Sequence, residues 1–134
     1  MKFKTTSGKI IGVDLRPSKW PRRDEDSCKS HFQWRIGQLI DELYPGEIVL
    51  EEFHIPGEGI YVDFFLPRKM LAIEADGSQH EAFSLFFHRT KENFLKAQAR
   101  DRRKENWCEI NNIKLIRVNT KEEREFINKL KSDG

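Results

Sequence analysis

Three carboxylates sit where a chain of this kind would normally place apolar residues. Asp63 interrupts Ile60-Tyr61-Val62-Asp63-Phe64-Phe65-Leu66, and Glu74 and Asp76 lie in Leu71-Ala72-Ile73-Glu74-Ala75-Asp76. A carboxylate enters such a run only when a countercharge, hydrogen bonds or a metal offsets its lost hydration. Both runs have the length and residue types of strands. Glu74 and Asp76, two apart, project from one face. Antiparallel pairing around Pro67-Arg68-Lys69 brings Asp63 toward them. Oxygen donors of this type suit Mg²⁺ or Mn²⁺. Asp63, Glu74 and Asp76 are therefore read as a divalent-metal site. The competing reading is an acidic solvent edge, against which the apolar flanks argue.

Other polar residues stand near this segment or interrupt apolar patterns elsewhere. His80 follows the turn Gly77-Ser78-Gln79, where an imidazole could act as general base or bind a phosphate. His88 is a weaker candidate for phosphate contact. In the highly charged stretch 89–110, Phe94, Ala97, Asp101, Lys104 and Cys108 recur at steps of three and four, which is one helix face. Asp101 and Lys104 interrupt that stripe. Asp101 could support His80 or the metal, and Lys104 could reach a scissile phosphate. The alternative is an ion pair between the two. Arg100, Arg102 and Arg103 read as phosphate contacts or solvated charge. Gln33 lies at the edge of another apolar helix face, one turn before Gly37, where a backbone or nucleic-acid strand could approach closely.

The elements that must position these residues follow from periodicity. Ser30 is a candidate N-cap for a helix over 30–44, with Phe32, Ile36, Leu39, Ile40 and Leu43 on one face and Pro45-Gly46 ending it. Strands are expected over 47–55, 60–66 and 70–76, forming an antiparallel meander because their connections are short. A loop over 77–87 carries Phe83, Phe86 and Phe87. One helix over 89–110, a strand over 113–118 and an amphipathic helix over 120–131 complete the order α-β-β-β-α-β-α. This is an α/β (α+β) single domain with a central mixed sheet.

Residues 1–29 read as a basic arm preceding a domain over 30–134. Lys9–Val13 suggests a short strand, and Pro17 and Pro21 exclude a continuous helix. Lys19, Trp20, Arg22 and Arg23 could hold phosphates while Trp20 stacks on a base. Equally, Trp20 could pack on the domain. Charge is segregated: residues 1–23 hold seven Lys/Arg against one acid, and residues 24–81 hold thirteen acids against four bases. An acidic centre between basic flanks suits a metal site within a polyanion-binding surface. No run approaches the roughly 18 apolar residues of a membrane span, and no apolar leader opens the chain. Cys28 and Cys108 match no zinc spacing. They are expected to be reduced thiols in a cytoplasmic protein.

The pattern Asp63-Phe64-Phe65-x-Pro67, Ile73-Glu74-x-Asp76-Gly77-x-Gln79-His80, Phe86-Phe87-His88, Phe94, Arg100-Asp101-x-x-Lys104 and Leu115-Ile116-Arg117-Val118 resembles PD-(D/E)xK nucleases. Within them it looks most like the branch of very-short-patch repair endonucleases and phage homing endonucleases with an EDxHD motif. The resemblance covers roughly residues 28–119 and implies a restriction-endonuclease-like fold. It also implies that Asp63 binds the metal together with Glu74 or Asp76 and the carbonyl around Ala75. His80 would take the place of the base or phosphate-binding histidine, Asp101 that of the helical aspartate, and Gln33 that of the polar residue on the first helix. The usual Glu-x-Lys here is Glu74-x-Asp76, so Lys104 or His80 would have to replace the strand lysine. The zinc site of the repair enzymes has no counterpart, and a separate DNA-reading domain of the homing enzymes is not expected in 134 residues.

The expectation is a Mg²⁺-dependent endonuclease acting on DNA in a bacterial or phage-infected cell, with a homodimer or two events needed to cut both strands. The alternatives are an RNA or branched-DNA nuclease and a non-catalytic nucleic-acid-binding protein of the same fold.

Overall fold

The computed structural model describes residues 1–76, 91–119 and Asn128, with the backbone alone at Asp76, Lys91 and Asn119. The loop over 77–87, with His80, and His88 lie outside the described residues, as does nearly all of the expected helix over 120–131. A four-stranded sheet runs β3 (Leu50–His54), β4 (Tyr61–Leu66), β5 (Leu71–Asp76) and β6 (Lys114–Asn119) in spatial order. β3, β4 and β5 are antiparallel neighbours, and β6 lies parallel to β5. The sheet is therefore mixed, and the protein is a single α+β domain. The parallel pair needs a long crossover, and α2 (Lys91–Ile110) lies within it.

Helix α1 (His31–Leu43) starts as its sequence dictates. Ser30 is extended, and its hydroxyl oxygen accepts the Gln33 N–H at 3.0 Å, satisfying one of the donors left open at a helix start. Phe32, Ile36 and Ile40, at steps of four, pack on Phe64, Leu66, Ile73, Ile116 and Val118. Alternation along β5 puts Ala72 on the opposite face. There it joins Leu50, Phe53, Phe65 and the end of α2, Trp107 and Cys108. The turn after β4 is tighter than a loop: Pro67–Lys69 is one 3₁₀ turn, and Met70 takes a left-handed φ of 49° to re-enter the sheet.

The N-terminal segment differs from the expected free arm. β1 (Lys2–Lys4) and β2 (Ile10–Gly12) form an antiparallel hairpin. Phe3 is 2% exposed, with its ring 5.3 Å from Trp107 and 5.9 Å from Phe65. An apolar residue at the centre of an otherwise basic strand helps to anchor the hairpin, because burying a phenyl ring is worth about 1.5–3 kcal/mol. Trp20 also packs on the domain. Its ring lies 5.0 Å from Phe53, and its indole N–H donates to the Asp14 carbonyl at 2.8 Å.

Alternation fails at one place. Glu51 pairs with Phe64 on the α1 side, yet Phe53 and Val62, one pair further on, belong to the other cluster. Between them Glu52 has a left-handed φ of 49°, a conformation few non-glycine residues adopt. That residue breaks the ladder opposite Asp63.

Candidate active site

Asp63, one residue beyond the last β4–β5 pair of Phe64 with Ile73, turns its carboxylate toward β5. Its Oδ2 accepts the Ala75 backbone N–H at 2.8 Å, and its Oδ1 accepts from Lys29 Nζ at 3.2 Å. Asp63 is 2% exposed, so these bonds replace the hydration it lost. The β4–β5 register continued by one pair sets Glu74 opposite Asp63. Glu74 is met from the other side by Lys104 of α2, whose Nζ lies 2.6 Å from Oε1. Oε1 is buried, and the Lys104 ammonium is the positive charge that faces it.

These groups form one cleft of about 340 Å³, walled by Lys29, Tyr61, Asp63, Glu74, Arg100 and Lys104. Burial, followed by the Asp63 charge, pushes the Glu74 carboxyl up to about 7, although Lys104 pulls the other way. Burial and then the Glu74 charge push the Cys108 thiol up to about 12, which keeps it protonated and unreactive. For Lys29, burial disfavours the charged form, but Asp63 and Tyr61 outweigh it and the net shift is upward.

The predicted metal ligands are thus partly assembled. Asp63 and Glu74 share the cleft. Asp76 ends β5, two residues after Glu74, and its side chain lies outside the described residues. Among the described residues no group of three His, Cys, Asp or Glu side chains closes on a metal position. The donor set nonetheless fits a hard divalent cation. Asp63 and Glu74 stand opposite one another in the cleft, and the Asp63 charge raises the Glu74 carboxyl, a repulsion that positive charge would relieve.

The helix residues divide. Lys104 points inward as expected, but to Glu74 rather than to Asp101. Asp101 lines the rim with its side chain 59% exposed and faces Arg117 at 3.9 Å. Phe94 is 47% exposed, so only Trp107 and Cys108 at the far end of the stripe reach the core. Arg100 and Arg103 are exposed, with Arg100 on the cleft.

Three other expectations take a different form. Gln33 does not line the cleft. It is fully buried and donates from Nε2 to Glu51 Oε2 at 2.9 Å. Glu51, itself 3% exposed, also takes the Arg22 Nε–H at 3.2 Å, the Arg23 backbone N–H at 2.8 Å and the Cys28 thiol at 3.4 Å. Arg22 further pairs with Asp41 and lies over the Phe64 ring. Arg22 is therefore a structural cation bound to the domain and not a free phosphate contact. Arg23 pairs with Glu52 at 2.8 Å, while Lys19 stays exposed. Gly37 does permit a close approach, but by the protein's own side chains. A Cβ there would stand 2.7 Å from Arg22 Nη2 and 3.2 Å from Phe64 Cζ.

Sequence reasoning missed Lys29, Tyr61 and Glu51. Glu51 carried a usable signal, an acid next to Leu50 in an apolar strand. Lys29 carried none, because it precedes the helix cap in an otherwise polar stretch. Both cysteines are free thiols, and no helix among the described residues is long and apolar enough to cross a membrane.

No family model matches the chain, and no solved structure matches it significantly. Two curated viral proteins match parts of it. Over 64 residues the chain is 42% identical to "Uncharacterized protein 033L" of Invertebrate iridescent virus 3, covering 48% of this chain and 33% of that protein. Over 57 residues it is 40% identical to "Uncharacterized protein 307L" of Invertebrate iridescent virus 6, covering 42% of this chain and 29% of that protein. The matched stretch thus spans about a third of the length of each relative.

Proposed function

We propose that this chain is a divalent-metal-dependent endonuclease that hydrolyses phosphodiester bonds in DNA. The observation that carries the reading is the pairing of two carboxylates, the buried Asp63 and the partly buried Glu74, with two lysines in one cleft rimmed by Arg100. Asp63 and Glu74, joined by Asp76 at the end of β5, would hold Mg²⁺ or Mn²⁺. A cation there would supply charge neutralisation at a phosphate oxygen and acidify a nearby water.

The chain's own groups supply the rest. Ala75 N–H fixes the Asp63 carboxylate, so the donor does not have to be ordered when substrate arrives. Lys29 and Arg100 place positive charge on the rim for the two phosphates flanking the scissile bond. Lys104 holds Glu74 in place and can neutralise charge developing on the phosphoryl oxygens. His80 is assigned proton transfer by its place just after β5 in sequence, and Asp101, on the rim of the cleft, keeps the supporting role that the sequence pattern implies. Cutting both strands would require a homodimer or two encounters.

The test is cleavage of supercoiled plasmid and of circular single-stranded DNA with Mg²⁺ by wild type and by Asp63→Ala. Activity in the wild type alone is expected. Equal activity in both, or none in either, overturns the reading.

A second reading has its own support: Lys29 and Lys104 already neutralise the two carboxylates, as a nucleic-acid-binding protein without catalysis would require. It predicts that Asp63→Ala keeps its nucleic-acid affinity and that Mg²⁺ leaves the thermal midpoint of the wild type unchanged.

A further inference from the structure

A second pocket of about 260 Å³ adjoins the cleft, and Tyr61 is the wall common to both. Its other walls include Trp20 and His54. The three rings form a row: Trp20 and His54 lie 5.6 Å apart, and His54 stacks on Tyr61 at 6.0 Å. The row leads to the cleft, since Lys29 and Lys104 lie 5.1 and 5.9 Å from the Tyr61 ring. His54 is exposed, and Trp20 and Tyr61 are each partly so. Exposed Lys19 stands at the mouth. Glu52 lines the pocket with its carboxylate paired to Arg23 at 2.8 Å.

We propose that this pocket is a stacking subsite for an unpaired nucleobase of the nucleic acid whose phosphate occupies the cleft. The proposal rests on the nuclease reading for its ligand. Aromatic faces in a row, with cations beside them, are how proteins hold bases whose own faces are free. A base inside a duplex has both faces covered by its neighbours and cannot enter. Glu52 offers a carboxylate acceptor, suited to the exocyclic amino group of cytosine or adenine. Glu52, with its left-handed backbone, stands between the β3–β4 pairs that flank Asp63, so the two pockets meet along one stretch of the sheet. The substrate class that follows is single-stranded, flapped or branched nucleic acid, with an unpaired base next to the phosphate that is cut.

The experiment measures binding by fluorescence anisotropy in EDTA with three labelled probes of equal length: a DNA single strand, a duplex, and a strand of abasic deoxyribose phosphates. Wild type is expected to bind the single strand at least about tenfold more tightly than the abasic strand, in keeping with stacking of one or more bases. His54→Ala is expected to weaken single-strand binding about five- to tenfold, and the other two probes by less than about twofold. His54→Leu, which keeps apolar bulk and removes the ring, is measured in parallel, and thermal unfolding identifies which variants fold. Unchanged single-strand affinity in a folded variant, or an equal loss on all three probes, overturns the subsite. Cleavage of circular single-stranded DNA and of supercoiled plasmid with Mg²⁺, by wild type and Asp63→Ala, separates the two ideas. A protein that cleaves but binds all probes alike keeps the nuclease reading and loses the subsite. One that prefers the single strand through His54 but never cleaves keeps the subsite and loses the nuclease reading.

Discussion

Glu74 should make the protein less stable as pH rises, and Glu74→Gln should abolish that dependence. The folded state raises the Glu74 carboxyl from its ordinary 4.5 to about 7, first through burial and then through the Asp63 charge. Between these values the unfolded chain is ionised at this site while the folded chain still holds its proton. Raising the pH across that interval therefore favours the unfolded state. The stabilisation that the protonated group offers is complete below about pH 4.5 and is lost by the time pH passes about 7. At about 1.4 kcal/mol for each tenfold change in proton affinity, the loss is about 3 kcal/mol. Water entering the open cleft would reduce it. The assay is urea unfolding in EDTA at several pH values from 4.5 to 8, comparing the wild type with Glu74→Gln. The difference between the two curves should change by up to about 3 kcal/mol across the interval. Parallel curves would refute the assignment of a partly buried, proton-retaining Glu74. Adding Mg²⁺ at pH 8 should return stability to the wild type and not to the variant, because a cation favours the ionised carboxylate.

Four further outcomes follow from the same contacts. Lys104→Met removes the cation that opposes the rise at Glu74 and should steepen the pH dependence of stability seen in the urea series. Glu51→Ala leaves Arg22 and Gln33 without their shared buried partner and should cost about 3–5 kcal/mol in chemical denaturation; a change below about 1 kcal/mol would show that the network is not closed. Gly37→Ala should destabilise by about 1–3 kcal/mol as the methyl displaces Arg22 and the Phe64 ring, read as a lower urea midpoint. Phe3→Ala should cost about 3–5 kcal/mol. Deleting the hairpin should lower the midpoint comparably, whereas a dispensable arm would leave both unchanged.

The elements were legible in the sequence because their signals are local. The Ser30 cap, the four-residue steps of α1 and the short connections between strands each act within a few positions, and the structure follows them. Asp63 and Glu74 were legible for a related reason: a charge within an apolar strand has few physical explanations. The hairpin was hidden because its anchors are few and non-local: buried Phe3 and Thr5, with Asn111 and Glu58 bonding Lys4 and Thr6 from far along the chain. Gln33 and Arg22 were placed at the wrong centre because sequence shows that a polar residue faces inward without showing which partner it meets. Glu51, the partner, is 18 residues from one and 29 from the other. The face reversal at Glu52 had no signal, since nothing in Glu51-Glu52-Phe53 requires a left-handed backbone.

The cleft opens on the other side of β4, where the β4–β5 pairing ends, one residue beyond Phe64 and Ile73. The pairs there run from Leu66 with Leu71 to Phe64 with Ile73. Past the last of them, the Asp63 carboxylate takes the Ala75 amide hydrogen and is fixed beside Glu74. The two negative groups then need positive charge, and it arrives from two directions. Lys29 comes from just before α1, and Lys104 from the crossover helix joining the parallel strands. Neither occupies the strand position that holds Asp76. A lysine charge at this centre therefore does not depend on a lysine in β5, provided that the crossover helix keeps its length and phase. Inserting one residue before Lys104 in α2 would rotate it by about 100° around the helix. The Glu74 pair should then be lost even though every residue of the cleft is retained.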